Sequence, residues 1–78
     1  MRAKSLRVVV TFHTTTAAMA MEDSCMKEGL PGRLIPVPRE ITAGCGMARS
    51  APVEARPAME AFVQSRKITT AGWYELLL

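Results

Sequence analysis

Gly44 and Gly46 flank Cys45 and leave the backbone on either side of its sulfur without Cβ atoms, so that a partner can approach closely. Arg39 and Arg49 bracket the same cysteine with fixed positive charge. A cation near a thiol lowers its pKa from the free value of about 8.5, and the resulting thiolate attacks disulfides, persulfides and electrophiles. Glu40 is expected to pair with Arg39 or Arg49 rather than act as a base, because a carboxylate beside the sulfur would raise its pKa. The competing reading is plain: a lone cysteine behaves as a small hydrophobe, and Pro38, Arg39 and Glu40 serve only to shape a loop.

The elements that must position this loop can be read in order. Leu6, Val8, Val10 and Phe12 alternate with Arg7, Val9, Thr11 and His13, the period of a strand with one face on a core. Thr14, Thr15 and Thr16 offer amino-terminal caps, and a helix over Thr15–Glu28 places Ala18, Met21 and Cys25 on one face with Glu22, Asp23 and Lys27 on the wet side. Gly29 and Pro31 end it. Arg33–Val37 reads as a second strand in which Pro36 lacks an amide proton, which confines it to a sheet edge. A third strand is expected over Cys45–Ala51, ended by Pro52. A second helix begins between Glu54 and Pro57, with Ala55, Met59, Phe62 and Val63 inward, and a last strand covers Trp73–Leu78.

Strand, helix, strand, strand, helix, strand is the order of an α+β, ferredoxin-like βαββαβ fold: a four-stranded antiparallel sheet, strand order four, one, three, two, with both helices on one face. That order puts the proline-bearing strand on an edge. It also gathers His13, Thr14 and Thr15, at the end of the first strand, near Cys45 at one end of the domain. Residues 1–78 are read as a single domain, with 1–5 a flexible tail. At this size only about 60% of the unfolded surface is buried, which leaves room for a homodimer.

Composition narrows the function classes. A net charge of +3 is spread among acidic residues, and two Phe, one Trp and one Tyr provide no stacking platform, so nucleic acid is not expected. No stretch approaches the length of a membrane span, and the run from Val8 is too short for a secretory signal. Two cysteines without secretory context fit the reducing cytoplasm. One Cys and one His cannot complete a tetrahedral metal site, so neither a metal nor another cofactor is expected, although a Cys45–His13 contact is open. Cys25 reads as core. It lies roughly 15 Å along its helix from the cysteine loop, too far for a disulfide with Cys45.

The run Pro31-Gly-Arg-Leu-Ile-Pro-Val-Pro-Arg-Glu-Ile-Thr-Ala-Gly-Cys-Gly46, after Phe12 with its following threonines and an Ala-x-Met-Glu helix, resembles the selenium/sulfur carrier-like family of small prokaryotic proteins. The likeness extends to Tyr74-Glu-Leu76. It implies that Pro38, Arg39, Glu40, Gly44, Cys45 and Gly46 form the functional loop, with Cys45 carrying sulfur or selenium between a donor protein and an acceptor protein. Arg39 would stabilise the anion, and Arg49 would support the loop. Two alternatives stay open. One is an interaction or ligand-binding module whose Pro-Arg-Glu loop holds an anion and whose Cys45 is structural. The other is a small thiol reductase, which the lack of a Cys-x-x-Cys pair disfavours.

Overall fold

Thr14 separates the first strand from the first helix through its own side chain. Its backbone is extended, at φ −132° and ψ 153°, and Oγ1 accepts from the Ala17 amide at 3.1 Å. The helix ends in a Schellman arrangement: the Leu30 amide donates to the Cys25 carbonyl at 3.0 Å, the Gly29 amide to that of Met26 at 3.3 Å, and Leu30 packs back onto the core around Cys25. In the computed structural model, which describes residues 4–41 and 46–78, the elements are β1 (Leu6–Thr11), α1 (Thr15–Glu28), β2 (Arg33–Pro36), β3 (Met47–Pro52), one 3-10 turn (Val53–Ala55), α2 (Arg56–Arg66) and β4 (Gly72–Leu77). The bounds of α1 are those expected from its caps.

The four strands form one antiparallel sheet in the order β2-β3-β1-β4, the ferredoxin-like order. Pro36 therefore sits on an edge strand, opposite Met47, where its missing donor breaks no second ladder. Thr11 pairs with Ala48, so the end of β1 and the start of β3 lie side by side. The ladder reaches beyond β1 as well: Ser5 exchanges two hydrogen bonds with Leu78, both 3.1 Å, one residue into the stretch read as a tail.

Both helices pack on one face. Ala18, Met21 and Cys25 of α1 and Met59 and Val63 of α2 close over Val8, Val10, Phe12 and Ala51. The opposite face departs from expectation. Val9 and Thr11 are as fully buried as Val8 and Val10, because β1 is central and a second cluster of Val9, Ile41 and Ala48 forms beneath Ile35, Val37, Tyr74 and Leu76. Burial on both faces hides the strand's alternation in an apolar run.

Gly32, just before β2, is held by a close approach. Its φ is +126°, and a Cβ there would lie 2.6 Å from the Ser50 carbonyl oxygen, 3.0 Å from Ala51 Cβ and 3.3 Å from Arg49 Nε. Gly32→Ala is expected to cost more than the about 1–3 kcal/mol of backbone strain alone, since β3 must also move. Gly46→Ala meets the strain without the collision: φ is +94° and nothing among the described residues lies within 4 Å. Urea denaturation of the two variants should place Gly32→Ala clearly lower. Equal midpoints would mean that the approach to β3 carries no cost.

Candidate functional site

The segment singled out in the sequence is built as an extension of the β2–β3 edge. Beyond Pro36 the Val37 amide still donates to the Gly46 carbonyl, at 3.0 Å, which ties the two sides of the loop together one step past the sheet. Pro38, Arg39, Glu40 and Ile41 then make a tight turn closed by the Ile41 amide on the Pro38 carbonyl at 2.9 Å. Ile41 is 6% exposed and packs with Val9 and Ala48, which seats the turn on the face of the sheet away from the helices. Arg39 and Glu40 are exposed at its tip. Cys45 and Gly44, the centre of the sequence expectation, lie with Thr42 and Ala43 outside the described residues.

The expected partners of the loop fall into separate groups. Among the described residues no hydrogen bond or ion pair joins Arg49 to the Pro38–Ile41 turn. β3 alternation turns Arg49 with Met47 and Ala51 toward the helices, where it is 1% exposed and ion-paired to Glu22 of α1. Its Nη2 also donates to the carbonyls of Leu30 at 3.3 Å and Pro31 at 3.4 Å. The expected pairing of Glu40 with Arg39 or Arg49 is likewise absent among the described residues, and Glu22, assigned to the wet side of α1, is the actual partner. The physical reason is burial: a guanidinium this deep must be matched by a carboxylate on the element packed against it.

His13 lies beyond the paired part of β1 and is exposed, as are Thr14 and Thr15. His13 borders a hollow of about 490 Å³ between the start of α1 and the end of α2, lined also by Thr14, Thr16, Arg66 and Lys67. This hollow opens on the helix side, whereas Ile41 seats the Pro38–Ile41 turn on the other. Among the described residues no hydrogen bond or ion pair joins His13, Thr14 or Thr15 to Arg39 or Glu40. A Cys45–His13 contact falls outside the described residues.

Cys25 is fully buried on α1, and burial pushes its thiol pKa up, with the charge of Arg49 opposing and that of Glu22 adding to the rise. It stays a protonated core residue, as its helix face suggests. The anchor that sequence reasoning missed is Ile41. The signal was one branched aliphatic residue four positions before Cys45 in a polar, glycine-rich loop, and its burial depends on the distant Val9 and Ala48. Among the described residues no three His, Cys, Asp or Glu side chains gather as a metal site, and no helix is long and apolar enough to cross a membrane.

The family model described as "Putative Se/S carrier protein-like" matches residues 7–75, from β1 through the cysteine loop to β4. No curated protein and no solved structure matches the chain.

Proposed function

The chain belongs to the Se/S carrier protein-like family, and we propose that it carries sulfur or selenium on Cys45 between a donor protein and an acceptor protein. The observation that supports this most is the state of the other thiol. Of the two cysteines in the chain, Cys25 is sealed in the core with its pKa raised, so only Cys45 is left to hold a transferable atom.

The step is a neutral transfer of one sulfur atom. The Cys45 thiolate attacks the outer sulfur of a donor persulfide; that sulfur bonds to Cys45, the donor's S–S bond breaks, and the donor cysteine leaves as thiolate. Cys45 then bears Cys-S-SH, or Cys-S-SeH when the donor presents selenium, and an acceptor thiolate repeats the attack. No external oxidant or reductant enters. The reaction suits the cytoplasm, where thiols persist. With Arg49 neutralised by Glu22, the charge that favours the thiolate and the persulfide anion falls to Arg39, an exposed guanidinium without a carboxylate partner among the described residues.

Intact mass after incubation with a cysteine desulfurase or selenocysteine lyase and its substrate tests the reading. One sulfur or selenium atom should be gained and lost again on reduction; Cys45→Ser should abolish the gain and Cys25→Ser leave it. Arg39→Gln should raise the Cys45 pKa, so that alkylation at neutral pH slows while the rate on the high-pH plateau is unchanged. Cys45 should alkylate far faster than Cys25 in the folded protein. An adduct on Cys25, or none at all, overturns the carrier and leaves Arg39 as an anion clamp in a binding loop.

A further inference from the structure

The face of the sheet away from the helices carries a feature that neither the cysteine loop nor the core accounts for. Strand alternation brings Arg7 of β1, Ser50 of β3 and Arg33 of β2 to this face beside Val9, Ala48 and Ile35. They line one end of a trough of about 810 Å³ that runs along β2 past Ile35, Pro36 and Val37. Ser50 is 4% exposed, and its Oγ accepts from Arg7 Nε at 3.1 Å. A guanidinium can only donate, so this bond uses the oxygen of Ser50 and leaves its proton without an acceptor among the described residues. That proton can be given to an acceptor in the trough. The remaining nitrogens of Arg7 and the whole guanidinium of Arg33 are likewise without a hydrogen-bond or ion-pair partner there. No Asp or Glu lines the trough, and the main-chain oxygen of Leu78 at its rim accepts from the Ser5 amide, not from either arginine.

Two guanidinium forks, which can only donate, and a buried hydroxyl with its proton still to give face one cavity and match an oxyanion. The volume is much larger than one oxyanion and falls in the range of small-molecule sites, and the wall leading away from the arginines is aliphatic. We infer that the trough binds a small organic anion: a phosphate, sulfonate or carboxylate head held by Arg7, Arg33 and the Ser50 hydroxyl, with an apolar body lying along Ile35, Pro36 and Val37. This site uses no atom of Cys45 and stands independently of sulfur or selenium transfer.

Amide chemical shifts of the full chain, titrated with hexyl phosphate, hexanesulfonate and hexanoate, test it, with inorganic phosphate and hexanol as controls. Saturable shifts are expected at Arg7, Arg33, Ser50 and Val37, with the head group's charge setting which of the three anions binds most tightly. Both controls should bind at least about tenfold more weakly, as should the Arg33→Gln and Ser50→Ala variants with hexyl phosphate, because each loses a hydrogen bond to a charged group. Arg33 is exposed, so its variant should keep the wild-type fold and spectrum elsewhere. Cys45→Ser should bind as wild type does. No saturable shift with any of the three anions, or unchanged affinity in the Arg7→Gln/Arg33→Gln double variant, overturns the site; inorganic phosphate binding as tightly as hexyl phosphate overturns the apolar half of it.

Discussion

Glu22→Ala should destabilise the protein by about 3–5 kcal/mol, the cost of leaving one member of a buried ion pair alone. Arg49 is 1% exposed, and without Glu22 it keeps, among the described residues, the long bonds from Nη2 to the Leu30 and Pro31 carbonyls, its Nε having no partner among them even in the intact protein. The reciprocal change is milder. Glu22 is 28% exposed and can be hydrated, and Met in place of Arg49 would fill the space between Met47 and Ala51 with apolar atoms, so Arg49→Met should cost clearly less than Glu22→Ala. The double variant Glu22→Leu/Arg49→Met should recover most of the loss. Thermal melts read this directly, since about 3 kcal/mol in a domain of this size lowers Tm by at least about 12 °C. If Glu22→Ala behaves as a surface substitution, within about 0.5 kcal/mol of wild type, the buried guanidinium is held by something other than its carboxylate.

Phe12→Ala is the second large effect, expected at about 3–5 kcal/mol. Phe12 is fully buried between β1 and both helices, in a protein whose whole stability should lie near the low end of 5–15 kcal/mol. The sequence presents Phe12 and Phe62 as equivalent core aromatics, but Phe62 is only half-buried at the edge of the cluster, with the Arg66 guanidinium 5.2 Å above its ring. Phe62→Ala should therefore cost less than Phe12→Ala, and chemical denaturation of both variants checks the order. Equal losses would mean that the α2 side of the core is packed as tightly as the strand beneath it.

The parts of this fold that were legible in the sequence are those set by neighbours along the chain. Thr14 and Gly29-Leu30-Pro31 bound α1 by local hydrogen bonding, Pro36 selected its own edge, and Ala18, Met21 and Cys25 marked the buried stripe. What was not legible is set across the sheet. Arg49 lies four residues from Cys45, and proximity in sequence suggested a shared site, yet in a strand the side of the sheet a residue faces matters more than its distance along the chain. Counting from Met47 puts Arg49 with the helices, and only the packing of α1 reveals that Glu22 waits for it. Ile41 was hidden for the same reason, because a loop residue becomes core only when the sheet beneath it exists.

The hydrogen bond from Val37 to Gly46 has a kinetic meaning for a carrier. Gly46, the residue after Cys45, has its carbonyl tied to the sheet edge, so on the proposed carrier reading the tether from the sheet to the transferred atom is one residue long on that side. Delivery then depends on visitors. If Cys45 carries sulfur or selenium as proposed, donor and acceptor take turns at the same landing place and exclude one another there, which predicts ping-pong kinetics and makes surplus donor an inhibitor of its own cargo's release.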